Sequence, residues 1–163
     1  MRKITYLSLG SNVGDRRANL QQAIERLSEL GEVTAVSSYY ETEPVDFLAQ
    51  PWFLNCAVAV ATDKMPRQFL AALQRIEREM GRKRIQPKGP RAIDLDILLF
   101  GSSVVETAQL TIPHPALHER RFVLVPLAEI APDARHPVFK RTVRELRDAL
   151  PPGQQVRKVA GSR

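Results

Sequence analysis

The sequence predicts an α+β fold, with a ferredoxin-like βαββαβ core and an additional short strand and helices at its C-terminal end. Segments with strand and helix patterns follow one another in the order strand, helix, strand, strand, helix, strand. Each strand–helix–strand unit makes its two strands parallel, and the connection between the second and third strands reverses the chain. The ends of the first two strands and the starts of the last two are therefore predicted to share one edge of the sheet.

The first helix and three of the strands are predicted within residues 3–62. The first strand, "KITYLSLG", is rich in strand formers and ends at Gly10. Asp15 is placed to cap a helix that Gly31 ends. The apolar residues of this helix recur at helical spacing and are Leu20, Ile24, Leu27 and Leu30. The second and third strands are "EVTAVSSYYET" and "FLNCAVAVAT".

The second helix and the fourth strand complete the predicted core. Pro66 suits the first turn of a helix, and Gly81 closes the same segment. The apolar stripe of this helix consists of Phe69, Leu73, Ile76 and Met80. The fourth strand is "AIDLDILLFG".

The C-terminal part is less regular. "VVETAQLTIPHP" predicts a short edge strand, and prolines break "LHERRFVLVPLAEIAP" into short helical turns. Thr142 and Glu145 have capping-box spacing at the start of a last helix. Residues 151–163 are basic and rich in proline and glycine, and we predict that they form a flexible tail. The whole chain, residues 1–163, is predicted to be one domain.

Composition limits the classes of protein that are possible. The 163 residues carry 24 Lys and Arg against 18 Asp and Glu, a net charge of +6 that favours anionic partners such as nucleotides. Cys56 is the single cysteine, so no intrachain disulfide can form and a reducing, cytoplasmic setting is expected. No apolar segment of membrane-spanning length and no signal peptide is predicted.

Two carboxylates stand at the start of the fourth strand. Asp94 and Asp96 point to the same side of a strand, with α-carbons about 6.5 Å apart, so both can converge on a divalent cation. A basic segment, "GRKRIQPKGPR", precedes them at the same edge of the sheet. The connections predicted at that edge are residues 10–15, 41–52 and 82–91, and two of them are longer than simple turns require. Carboxylates beside a basic loop suit phosphoryl transfer.

Other interpretations of these residues stay open at this point. An isolated D-x-D pattern is more often paired with arginines at an exposed strand end, and a basic run is more often a solvated loop. The chain has no phosphate-binding loop of the G-x-x-x-x-G-K-[ST] or G-x-G-x-x-G kind. An RNA-binding ferredoxin-like module and an ATP-binding regulatory domain without catalysis are the alternative functions.

Six segments, taken together, are similar to a known family. They are "LGSNVGDR", "YETEPV", "QPWFLNCAV", "QRIEREMGRKR", "GPRAIDLDILLFG" and "LTIPHPALHERRFVLVPLAEIAP". In this order and spacing they resemble the 6-hydroxymethyl-7,8-dihydropterin pyrophosphokinases of folate biosynthesis. The resemblance implies a ferredoxin-like core, ATP and two Mg²⁺ ions, and transfer of pyrophosphate from ATP to the hydroxymethyl group of the pterin, with release of AMP.

The same resemblance implies a role for individual residues. Asp94 and Asp96 correspond to the metal ligands, and Arg82 and Arg91 to the catalytic arginines. The implied ATP-binding residues are Gln74, Glu77, Arg84, Ile97, Thr111, His114 and Arg120. The implied pterin-binding residues are Thr42, Val45, Phe53, Asn55 and Phe122. The expected partners are the two small-molecule substrates, with neither nucleic acid nor membrane, and a monomer is expected.

Overall fold

A six-stranded sheet lies between two layers of helices. The structure is a computed structural model that describes residues 2–44, 49–81 and 92–159. The strands are β1 Lys3–Ser11, β2 Glu32–Val36, β3 Tyr40–Thr42, β4 Phe53–Thr62, β5 Asp94–Phe100, β6 Val105–Glu106, β7 Thr111–Ile112 and β8 Val156–Lys158. The α-helices are α1 Arg16–Leu27, α2 Pro66–Glu79, α3 Arg121–Ile130 and α4 Val143–Asp148, and Leu117–Glu119 form a 3₁₀ turn.

The sheet has the strand order β5-β1-β4-β3-β8, and β2 also pairs with β4. Its paired strands are antiparallel. Helices and an antiparallel sheet in one chain confirm the predicted α+β class. The predicted second strand divides into β2 and β3 around Ser37, because the Ser37 hydroxyl accepts a hydrogen bond from the Ala57 N–H at 2.9 Å and so takes the place of a backbone acceptor.

Strand alternation separates two cores. One core lies between the sheet and helices α1 and α2, and it contains Leu9, Leu95 and Ile97. The other lies between the opposite face and helices α3 and α4, and it contains Ala57 and Leu98. Side chains that alternate along the strands with residues of the first core, such as Leu9, Leu95 and Ile97, therefore point towards α3. The asparagine of β4 and the two aspartates of β5 are among them and lie on that face of the sheet.

The predicted helix starts are confirmed. The Asp15 carboxylate accepts a hydrogen bond from the Ala18 N–H at 3.1 Å, as an N-cap does. Pro66 is the first residue of α2. Thr142 and Glu145 exchange hydrogen bonds of 3.1 and 2.8 Å in a capping box at the start of α4.

Three C-terminal expectations differ from the structure. Pro126 does not break its segment into short turns but lies inside the continuous helix α3. The flexible tail predicted for residues 151–163 is wrong for Val156–Lys158, which pair with β3. The outer edge of β3 offers unpaired backbone N–H and C=O groups, and β8 satisfies them despite the prolines and glycine that precede it. The predicted edge strand is instead the pair β6 and β7, which forms a separate two-stranded sheet.

Within the described ranges, no helix combines the length and apolarity needed to cross a membrane.

Candidate active site

The register of three central strands brings the acidic pair close to a buried amide. Asp94 lies opposite Gly10 on β1, and Gly10 lies opposite Asn55 on β4. Asp96 lies opposite Ser8 one step further along. Residues that pair across antiparallel strands share a face, and two strand spacings amount to about 10 Å. Residues predicted for the metal and for the pterin thus occupy one face at one end of the sheet.

The acidic pair is anchored through the peptide between its members. Leu95 donates its N–H to the Glu77 carboxylate Oε2 of α2 at 2.8 Å. Both aspartates are half-buried, and their side chains lie on the α3 side of β5, while the Leu95 side chain is in the other core. The last turns of α2 therefore help to fix the direction of both carboxylates. Sequence reasoning placed Glu77 near ATP but did not find this contact.

The donor chemistry of the pair fits magnesium. Mg²⁺ is usually held by one or two carboxylates, while substrate phosphates and water supply the remaining oxygens. Within the parts of the chain that the structure describes, no group of three His, Cys, Asp or Glu side chains could hold an ion without such help. Two carboxylates alone suit a cation that arrives with a phosphate-bearing substrate, because phosphate and water oxygens can complete its ligands.

Three of the residues predicted to bind the pterin, Thr42, Phe53 and Asn55, form a buried cluster that we call the Asn55 cluster. Asn55 is 4% exposed and donates from Nδ2 to the Leu9 carbonyl at 3.1 Å, and the Thr42 hydroxyl donates to its Oδ1. Phe53 lies two residues before Asn55, on the same face and almost buried. The amide is thus held in one orientation, and its second proton and its remaining lone pair can still bind a ligand.

Gly10 is a residue of this cluster that the sequence reasoning missed. A Cβ built on Gly10 would lie 2.5 Å from Asn55 Nδ2 and 3.4 Å from a ring carbon of Phe53. The amide therefore occupies the space that any other side chain at position 10 would need. The signal in the sequence was a glycine at the end of a strand, which was interpreted as a strand end alone.

The start of α3 contributes an aromatic ring and a cation. The Arg120 guanidinium carbon lies 5.5 Å from the centre of the Phe122 ring, within the range of a cation–π contact. Phe122 is half-buried, and its N–H donates to Gln154 Oε1 at 3.2 Å. Helix α3 packs on β3 and β4, so Phe122 approaches the face that carries Asn55.

His114 is a neutral imidazole in this site. The backbone N–H of His114 donates to the Leu98 carbonyl at 3.0 Å, and the ring Nδ1 accepts from the Ala116 N–H at 3.1 Å. Burial lowers the pKa of His114 to about 4, and the positive charge of Arg120 acts in the same direction, while the charge of Asp94 opposes them. Because Nδ1 is an acceptor, the proton resides on Nε2, which can donate a hydrogen bond to a ligand.

The remaining predicted residues are distributed unevenly. Gln74 and Thr111 are exposed, on α2 and β7. Ile97 is in the core beneath α1 and α2, so its side chain lies on the opposite face from the acidic pair. Val45, Arg82, Arg84 and Arg91 lie outside the described residues.

Two of the three predicted site connections meet each other. Asn12 follows β1 and donates from Nδ2 to the Gln50 side chain at 2.8 Å and to the Pro51 carbonyl at 3.1 Å. Arg16 donates to the Trp52 carbonyl at 3.1 Å and to the Glu41 carboxylate at 2.6 Å. The end of the 41–52 connection is thus attached to the start of α1. The sequence predicted that these connections share an edge, but not the partners.

Residues 6–132 match the family model for 7,8-dihydro-6-hydroxymethylpterin-pyrophosphokinase. The 2-amino-4-hydroxy-6-hydroxymethyldihydropteridine pyrophosphokinase of Bacillus subtilis is 51% identical over 132 residues, which are 80% of this chain and 79% of the relative. The protein of the same name from Aquifex aeolicus is 41% identical, over 87% of this chain and 89% of the relative.

Larger proteins also contain a similar region. The folic acid synthesis protein fol1 of Schizosaccharomyces pombe is 46% identical over 91% of this chain, which spans 21% of that protein. Among solved structures, wild-type Plasmodium falciparum HPPK-DHPS with STZ-DHP has a TM-score of 0.72 and 19% identity, over 91% of this chain and 43% of that one. At that identity the likeness shows a shared fold.

Proposed function

The chain belongs to the 7,8-dihydro-6-hydroxymethylpterin-pyrophosphokinase family, and we propose how its residues carry out the family's reaction. The enzyme transfers pyrophosphate from ATP to the hydroxymethyl group of 6-hydroxymethyl-7,8-dihydropterin in folate biosynthesis, giving the pterin diphosphate and AMP. One observation supports the assignment of roles most strongly. The acidic pair and the Asn55 cluster share one sheet face, about two strand spacings apart, so a phosphate donor and a flat acceptor can meet between them.

We assign the pterin to the Asn55 cluster. Asn55 offers one amide proton and one lone pair to the donor and acceptor groups at the pterin edge. Thr42 fixes the rotation of that amide, and the rings of Phe53 and Phe122 supply flat apolar surfaces for stacking. Val45 is assigned to the same site by its position in the family motif.

We assign the nucleotide to the side where His114 and Arg120 lie. The neutral His114 donates from Nε2, and Arg120 offers a guanidinium to a phosphate oxygen. The charges of Asp94 and Arg120 both act on His114, which supports a position of His114 between the acidic pair and Arg120. The other ATP-binding residues that we propose are Gln74, Glu77, Arg84, Ile97 and Thr111, and Ile97 would contribute through its backbone.

We propose that turnover depends on two Mg²⁺ ions held by Asp94 and Asp96. Such ions neutralise phosphate charge and lower the pKa of a hydroxyl that they bind. Glu77 keeps the two carboxylates directed to one face through its hydrogen bond with the Leu95 N–H. Arg82 and Arg91 are proposed to stabilise the charge that develops on the transferred group. The chain thus performs the transfer by positioning and charge stabilisation, without a covalent enzyme intermediate.

The finer structural and cellular assignments are also proposals. The strand order β5-β1-β4-β3 with helices between strands supports a ferredoxin-like core within a single domain of residues 1–163. A buried Cys56 thiol is compatible with a cytoplasmic location. We propose a monomer that binds its two small-molecule substrates and neither nucleic acid nor membrane.

The direct test is product analysis. Protein, MgCl₂, ATP and 6-hydroxymethyl-7,8-dihydropterin are mixed, and nucleotides and pterins are separated by chromatography. The expected result is AMP and pterin diphosphate in equal amounts, with neither formed when the pterin is omitted or magnesium is chelated. Formation of ADP alone, or of no nucleotide product, would contradict pyrophosphate transfer.

A further inference from the structure

A side-chain amide near the C-terminal end joins two elements of the proposed pterin site. Gln154 accepts the Phe122 N–H through Oε1 at 3.2 Å, and it donates from Nε2 to the Glu43 carbonyl. Glu43 directly follows Thr42, whose hydroxyl bonds to Asn55. The two ends of one amide therefore contact the strand end that carries Thr42 and the helix start that carries Phe122.

The backbone around Gln154 is itself held in place. Val156 lies opposite Thr42 in the pairing of β8 with β3. Glu43 donates its N–H to the Gln155 carbonyl at 3.1 Å, and its carboxylate accepts the Gln155 N–H at 3.1 Å. These bonds hold Gln155 and Val156 against Glu43 and Thr42. The backbone from which the Gln154 side chain extends to Phe122 is therefore fixed in position.

The chemistry of the contact requires an amide. The Phe122 N–H needs an acceptor, and the Glu43 carbonyl needs a donor. A glutamine provides both groups on one planar unit, whereas a carboxylate supplies acceptors alone and a lysine supplies donors alone. Thr42 lies in the sheet and Phe122 lies in helix α3, which are different layers of the fold. Gln154 bonds to the backbone of Glu43, next to Thr42, and to the backbone of Phe122.

We infer that Gln154 is a positioning residue for the pterin site, which sets the distance between Thr42 and Phe122. The inference rests on the proposed placement of the pterin between these residues. Gln154 lies beyond residues 6–132, the part of the chain that matches the family model. It acts through Thr42 and Phe122 and does not itself contact the reacting atoms, so its loss should weaken binding of the pterin more than binding of ATP.

The test compares two neighbouring glutamines. Gln154→Ala removes both hydrogen bonds, while Gln155→Ala removes an exposed amide whose residue bonds to Glu43 through its backbone. For Gln154→Ala the KM for hydroxymethyldihydropterin should rise roughly three- to tenfold, the effect of one or two neutral hydrogen bonds. The KM for ATP should stay within about twofold of the wild-type value. Gln155→Ala should match the wild type in both constants.

A second variant separates the two bonds. Gln154→Glu retains an acceptor for the Phe122 N–H but has no donor for the Glu43 carbonyl, so its pterin KM should lie between those of the wild type and Gln154→Ala. Thermal unfolding of each variant shows whether it is folded under the assay conditions. If Gln154→Ala proves unfolded, Gln154→Glu alone decides, and an unchanged pterin KM for it overturns the inference.

The remaining outcomes are equally decisive. A pterin KM that is equal in Gln154→Ala and Gln155→Ala would overturn the positioning role, as would a matching rise in both substrate constants, because that indicates a general loss of structure. A wild-type protein that forms no AMP would instead refute the proposed function. The wild-type control in the same experiment therefore distinguishes the two failures.

Discussion

Gly10→Ala tests the close approach of Gly10 and Asn55 in the proposed pterin site. The new Cβ would stand 2.5 Å from Asn55 Nδ2, whereas non-bonded heavy atoms prefer about 3.5 Å or more, so the amide must move by about 1 Å. A shift of that size removes the 3.1 Å bond to the Leu9 carbonyl and misaligns the Thr42 hydroxyl. Leaving such buried groups unsatisfied costs about 1–3 kcal/mol each.

The expected loss in the free energy of unfolding is therefore about 2–4 kcal/mol, measured by urea denaturation. Because the Asn55 amide leaves its position, the pterin KM should also rise by roughly tenfold or more, which corresponds to about 1.4 kcal/mol of binding energy. Gly153→Ala is the matched control, since nothing lies within 4 Å of the Cβ that it would add. It should change neither quantity.

Two results would refute this reasoning, one the position of Asn55 beside Gly10 and the other the placement of the pterin. Wild-type stability and wild-type pterin KM in Gly10→Ala would show that Asn55 does not occupy the space beside position 10. A loss of stability with an unchanged pterin KM would show that the Asn55 cluster is a structural element of the sheet, and that the pterin binds elsewhere.

Three further perturbations test other parts of the site. Asp94→Asn and Asp96→Asn should each lower magnesium-dependent formation of AMP by at least about tenfold, since a neutral amide is a poorer ligand for a hard cation; wild-type turnover in either variant would remove that residue from the metal site. Glu77→Ala should raise the half-saturating magnesium concentration several-fold because the Leu95 N–H loses its acceptor, and Glu77→Gln, which keeps one, should resemble the wild type in that constant. A rise in the KM for ATP with an unchanged magnesium requirement would show that Glu77 does not orient the acidic pair. The folded-state pKa of His114, about 4, is below its unfolded value of about 6.5, so the stability linked to its neutral form is complete above pH 6.5 and is lost as the pH falls towards 4. Urea unfolding of the apoprotein should therefore show a steeper loss of stability below pH 6.5 for the wild type than for His114→Asn, and equal slopes would argue against a buried neutral imidazole.

Much of the fold was predictable because its signals are local. The cap at Asp15, the proline that opens α2 and the capping box at Thr142 depend on residues no more than four positions apart. The same is true of Asp94 and Asp96, whose common face follows from strand alternation alone. The division of the second strand at Ser37 was not predictable, because it depends on Ala57, which lies 20 positions away.

The sequence by itself determined the α+β class, the order of the core elements, the family and the acidic pair at one edge. The tertiary structure decided which groups hold those residues in place: Gly10 beside Asn55, Glu77 on the Leu95 N–H, and Gln154 between Glu43 and Phe122. Glu43 and Gln154 are separated by 111 positions. Periodicity and capping rules describe neighbours along the chain, so a contact of that separation becomes visible only when the strands are paired and the helices are packed.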